Sequence, residues 1–112
     1  MPWFPIDHGE TIGAEGSEGG SILRDEEYHD SARITLEREC RSSAFAITCG
    51  VYGFMVHTRF FESEDEAIGA YQRMRTDLGR IADRVPLDND SQAEESVELV
   101  VAAVARFVEQ FP

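Results

Sequence analysis

Residues 44–61 read AFAITCGVYGFMVHTRFF, a run of β-branched and aromatic residues that predicts extended structure throughout. As one strand, these residues would span about 60 Å at ~3.3 Å per residue, which is too long for a domain of 112 residues. Gly50 and Gly53 therefore indicate a turn, a bulge or a sharp bend inside the run. Two strands, at about 44–49 and 53–61, are the preferred interpretation, and a single glycine-bent strand is the alternative.

Two further strands are predicted before this run. SILRDEEY begins at Ser21, and ARITLEREC begins at Ala32 with Ile34 and Leu36 on one face. The residues between the two segments, His29-Asp30-Ser31, are typical of a turn. Residues 21–61 are therefore expected to form consecutive antiparallel strands.

Two amphipathic helices are predicted after the strands, at 64–84 and 91–110. Ser63 and Glu66 have the spacing of a capping box. Apolar residues then recur at alternating spacings of four and three, namely Ala67, Tyr71, Met74, Leu78, Ile81 and Val85. Pro86 ends this stripe, and the short loop before Ser91 predicts that the second helix runs antiparallel to the first.

The first 20 residues differ in composition from the rest. Trp3 and Phe4 stand next to prolines, so they are expected in an edge strand or arm that covers apolar surface. Residues 9–20, GETIGAEGSEGG, contain five glycines and no lysine. This stretch predicts a mobile loop or a loose hairpin rather than a phosphate-binding loop.

Together these elements predict one α+β domain over residues 1–112. An antiparallel sheet of three to five strands should carry a C-terminal αα-hairpin packed on one face. The opposite face is expected to present a mixed set of side chains: Arg33, Thr35, Glu37, Met55, His57 and Arg59. The acidic residues 25–27, with Glu37 and Glu39, are interpreted as solvated sheet surface rather than as a catalytic carboxylate pair.

The charge balance limits the classes of partner that the protein is expected to bind. Twenty-two acidic residues against ten basic ones give a net charge of −12, which disfavours nucleic acid and anionic membranes and allows a basic protein partner. All ten basic residues are arginine, so lysine chemistry is excluded. No apolar run approaches the length of a membrane span, and no leader is evident, so a cytoplasmic location with Cys40 and Cys49 reduced is expected.

The densest polar cluster is Asp7-His8-Gly9-Glu10. In an extended segment, His8 and Glu10 project from the same face and could share a proton or bind a metal ion. Asp7, His8, Glu10 and His57 are the candidate metal ligands, and Arg59 is a candidate anion contact beside His57. The hypothesis requires residues 7–10 to fold back over the sheet face that bears His57. The alternative is that both histidines are structural.

The favoured function is a small acidic binding or regulatory module, expected to be a homodimer, with an acidic inhibitor of a basic protein as one form. The competing hypothesis is a small enzyme or metal-binding protein that uses His8, Glu10 and His57. No motif identifies a reaction or a cofactor, and GxSxG is absent from the sequence.

Overall fold

The computed structural model describes residues 3–85 and 93–112. Its elements, in chain order, are the strands β1 (Trp3–Pro5), β2 (Ser21–Tyr28), β3 (Ala32–Arg38), β4 (Phe45–Val51) and β5 (Met55–Phe61), then the helices α1 (Glu64–Ala82) and α2 (Ala93–Gln110). The five strands form one antiparallel sheet in the order β1-β2-β3-β4-β5. The predicted α+β class and the predicted meander are confirmed.

The run 44–61 forms two strands joined at Tyr52-Gly53. The amide of Phe54 donates to the carbonyl of Val51 at 2.9 Å, and Gly53 adopts a φ of +84°, which favours glycine. Gly50 does not turn the chain, because it remains inside β4 and pairs with Val56. The turn therefore lies two residues later than the preferred sequence interpretation placed it.

The helix α1 begins where the capping pattern predicts. The Ser63 hydroxyl accepts the Glu66 amide at 3.4 Å, and the helix ends at Ala82, close to the predicted boundary. Its buried stripe, which includes Tyr71, Met74 and Leu78, packs on the sheet, and α1 also contacts α2. The end of α2 at Gln110 agrees with the prediction, whereas residues 86–92, with Pro86 and the Ser91 cap, lie outside the described residues.

One hydrophobic core joins the sheet to both helices. The helices contribute apolar side chains that meet the inner residues of β3 and β4, among them Val100, Ala103, Phe107 and Phe111 of α2 and Ile34, Leu36, Ile47 and Val51 of the sheet. Among the described residues, no helix is both long enough and apolar enough to cross a membrane.

The strand register shows which residues face the helices. Ile34 pairs with Cys49, which pairs with His57, so all three lie on the helix-covered side of the sheet. The same alternation places Met55 and Arg59 on that side. The prediction that Met55, His57 and Arg59 lie on the opposite face is therefore wrong.

The face that the helices leave uncovered is called the open face below. It carries Arg33, Thr35 and Glu37 of β3, as predicted, and the alternate residues of β5, Val56, Thr58 and Phe60. At the edge of the sheet, Trp3 of β1 is 6% exposed but Phe4 is 54% exposed. Of the two aromatic residues expected to cover apolar surface, Trp3 is the one in the core.

Candidate functional site

The open face contains a cavity of about 490 Å³. Its floor is formed by two neighbouring cross-strand pairs, Arg33 with Gly50 and Thr35 with Thr48. Arg33 on β3, Gly50 on β4 and Val56 on β5 form one row of cross-strand neighbours on the open face. Because Gly50 has no side chain, this row has a gap between Arg33 and Val56. The cavity lies over this gap.

The cavity walls come from segments that flank the sheet. Residues 13–20, called the glycine loop below, supply Glu15, Gly16 and Ser17 on one side. The β4–β5 turn supplies Tyr52 and Gly53, while Ile22 and Val56 add apolar surface. The cavity therefore has hydroxyl, guanidinium and apolar groups within one small volume.

Glu37 fixes the glycine loop against the open face. Its side chain is fully buried, and its carboxylate accepts the backbone amides of Glu18 at 3.2 Å and Gly20 at 3.1 Å. A Cβ at Gly16 would lie 2.3 Å from the Glu37 carboxyl carbon, so only glycine allows this approach. The expectation that Glu37 is solvated is wrong, because the loop covers it.

Asp25 orients the arginine on the cavity floor. The Asp25 carboxylate is buried and accepts Nε and Nη2 of Arg33 at 2.9 and 2.6 Å, together with the Thr35 hydroxyl at 2.9 Å. The hydrogen bond to Asp25 raises the pKa of Arg33, despite partial burial. Within the described residues Nη1 of Arg33 makes no hydrogen bond, so this nitrogen is free to donate to a ligand.

Tyr52 forms a rim of the cavity and is held by an acid of β2. Its hydroxyl donates to the Glu27 carboxylate at 2.6 Å. Burial and this hydrogen bond raise the pKa of Tyr52 to about 12. The phenol is therefore neutral near pH 7 and acts as a fixed donor rather than as a base.

The structure does not bring His8 and His57 together. Asp7 and His8 lie in the short 3-10 turn Ile6–Gly9, with positive φ angles of 49° and 57°, and both side chains are exposed, as is Glu10. This turn follows β1 at one edge of the sheet, whereas His57 lies on β5 at the other edge. Four strand spacings separate the two edges, about 19 Å at ~4.8 Å each.

His57 and Arg59 instead contact the C-terminal end of α2 and the residues after it. Nε2 of His57 is hydrogen-bonded with the carbonyl of Phe111, and Nε of Arg59 donates to the carbonyl of Pro112 at 3.2 Å. Burial and the nearby charge of Arg73 lower the pKa of Arg59. Across residues 3–85 and 93–112, no group of three or more His, Cys, Asp or Glu side chains is placed to hold a metal ion.

Comparison with known proteins gives no family, because no family model, curated protein or solved structure matches this chain. The open-face cavity is therefore the feature from which function is inferred.

Proposed function

We propose that this protein is a cytoplasmic, non-enzymatic binding module that takes a small, partly apolar ligand in the open-face cavity. The observation that carries the proposal is the gap at Gly50, where a cavity of about 490 Å³ is lined by Arg33. Pockets for small molecules commonly have volumes of roughly 300–1,000 Å³ and few convergent polar groups. The cavity fits that description.

The lining indicates the chemistry of the ligand. An anionic or hydrogen-bond-accepting group would meet Arg33 and the hydroxyl of Thr48, while an apolar part would contact Ile22 and Val56. The net charge of −12 disfavours polyanions in general. A ligand with one acidic or carbonyl group on an aromatic or aliphatic body is the class that these contacts favour.

A binding role is supported over catalysis by the state of the ionisable groups. The carboxylate of Asp25 is occupied by Arg33 and Thr35, and the pKa of Tyr52 lies far from neutral. Burial raises the pKa of the Cys49 thiol to about 12, which disfavours the thiolate that a nucleophile needs. The alternative enzyme or metal protein that uses His8, Glu10 and His57 has less support, because those residues lie apart.

Two matched variants test the proposal with anilinonaphthalene sulfonate, a fluorescent probe that combines an anionic group with an aromatic body. Thr48 lines the cavity, whereas Thr76 is an exposed threonine of α1 that does not line it. Thr48→Phe should fill the cavity and weaken saturable probe binding by about tenfold or more. Thr76→Phe, a substitution of the same kind outside the cavity and outside β5, should bind like the unmodified protein.

Fluorescence titration gives the dissociation constants, and thermal melting confirms that both variants are folded. Equal binding by the two folded variants, or no saturable binding by the unmodified protein, would contradict the proposal.

A basic protein partner remains a separate prediction from the net charge of −12, and mixing with a basic protein at low and high salt would test it.

A further inference from the structure

We propose that two copies of this chain pair along β5, in antiparallel orientation about a twofold axis at Thr58, to form one continuous ten-stranded sheet. The pairing itself does not depend on the proposed ligand. Its consequence for the cavity, given below, rests on the proposed function.

The two edges of the sheet differ in how well they are protected. At one edge, β1 has three residues and ends at Pro5, which is a short, proline-bearing edge of the kind that resists pairing. At the other edge, β5 has seven residues with neither proline nor lysine, and in the described part of the chain it pairs with β4 alone. An edge strand of this length and composition is a ready template for another strand.

The side chains of β5 make this edge complementary to itself. Val56 is 81% exposed and Phe60 is 50% exposed, and they stand two residues before and two residues after Thr58. Antiparallel pairing centred on Thr58 places Val56 opposite the partner's Phe60, and the twofold axis repeats the same contact. Pairs of aromatic and β-branched side chains stabilise neighbouring antiparallel strands.

Charge favours β5 as the place of contact. A dimer carries twice the net charge of −12, so long-range repulsion opposes association. The one charged residue of β5 is Arg59, which is basic, so this edge adds no acidic group to the contact. Because salt screens the remaining repulsion, the dimer should become tighter as ionic strength rises.

The second copy would complete one wall of the cavity. On the open face, the row Arg33–Gly50–Val56 runs outward to β5, and Val56 lines the cavity. The paired strand continues this row with the partner's Phe60. The aromatic wall beside Val56 is then supplied by the other subunit.

Sedimentation equilibrium without any ligand tests the pairing, over protein concentrations from micromolar to millimolar and at two salt concentrations. The unmodified protein should approach twice its 12.6 kDa mass. In V56K/F60K each lysine would face a lysine across the axis, which should raise the dimer dissociation constant about 100-fold. In V56K/F60E each lysine would face a glutamate, so the dimer should return.

The matched control is L99K/V101K, which adds the same two charges on exposed positions of α2 and should leave the dimer intact. Circular dichroism checks the fold of each variant. Any one of three results would overturn the proposal. The unmodified protein could be monomeric at millimolar concentration and high salt, the V56K/F60K variant could remain dimeric, or a folded V56K/F60E variant could stay monomeric. Because probe binding plays no part in the mass measurement, failure of the dimer and failure of the cavity are distinguishable.

Discussion

At the scale of single residues, the tyrosines show how the acidic side chains are used. The chain has three tyrosines, and each hydroxyl donates to a carboxylate: Tyr28 to Asp83, Tyr52 to Glu27 and Tyr71 to Glu26. Burial, aided by these acceptors, raises the pKa of Tyr28 and of Tyr52 to about 12 and that of Tyr71 further. Ionising any of these phenols would place two negative charges side by side.

Alkaline titration of tyrosine absorbance therefore has a definite expected outcome. The folded protein should show no tyrosinate near pH 10, whereas the urea-unfolded chain should titrate at the ordinary pKa of about 10. Because folding raises the pKa values of Tyr28 and Tyr52, the protonated phenols contribute fully to stability below about pH 10. This contribution is lost as pH rises towards 12. Glu27→Gln should lower the pKa of Tyr52, because it removes the negative charge beside the phenol. In the unmodified and still-folded protein, a tyrosine that ionises near pH 10 would contradict the expected shifts.

The three consecutive acids of β2 show what sequence cannot assign at this scale. On the open face, Asp25 binds Arg33, and Glu27 accepts a hydrogen bond from Tyr52. Under α1, Glu26 binds Tyr71 and Arg75. Burial tends to raise the pKa of Glu26, but the hydrogen bonds and arginine charges outweigh it and lower that pKa. The sequence predicts only a solvated acidic segment, because most of these partners lie on other segments that the fold brings to β2. Glu26 also pairs with Arg24 of its own strand.

At the scale of elements, the glycine loop depends on one buried carboxylate. Glu37→Ala removes the acceptor of the Glu18 and Gly20 amides and leaves a space beneath the loop. The unfolding free energy should fall by about 3 kcal/mol, since two charge-assisted hydrogen bonds are lost and their donors are left unpaired.

Urea denaturation measures this change, and hydrogen exchange of the Glu18 and Gly20 amides locates it. Glu62→Ala, which removes an exposed carboxylate, should alter the free energy by no more than about 0.5 kcal/mol. A Glu37→Ala variant that matches this control in stability and in amide protection would show that the buried carboxylate does not hold the loop.

The helices and the strand order were predictable from local signals, whereas the side of the sheet that β5 residues face was not. Ser63 and Glu66 mark the start of α1, and the alternation at Ile34 and Leu36 identifies the inner face of β3. In β5 the set containing Val56 and Phe60 looks more apolar than the set containing His57. A period of two shows which residues share a face, but only the register through Tyr52-Gly53 fixes which face the helices cover.

The sequence does not predict the candidate site, because the site depends on a long-range contact and on a glycine that leaves a space in the sheet surface. Glu37 lies 17 to 19 residues after the two loop amides that it binds. The one local signal was Gly50, since an interior strand glycine often marks a close approach or an unfilled position. The sequence interpretation instead gives Gly50 a role in a turn, a bulge or a sharp bend.

At the scale of the whole molecule, the sheet has one face closed by helices and one face that is partly covered. The helices bury their apolar stripes in a single core with β3 and β4, whereas the glycine loop covers Glu37 and leaves the cavity over Gly50 open. Exposed apolar residues also occur on α2, including Val97, Leu99 and Val101. Among the described residues, this part of α2 is another surface on which an apolar ligand could bind, and the cavity differs from it in having an oriented arginine.

Amide chemical-shift mapping with anilinonaphthalene sulfonate tests directly that the open face is the binding face. We expect the largest shifts at the amides around the cavity, namely Ser17, Thr48, Gly50 and Gly53, and we expect these shifts to saturate together with one dissociation constant. Shifts confined to α2 around Val97 and Val101, with the cavity amides unchanged, would contradict this expectation.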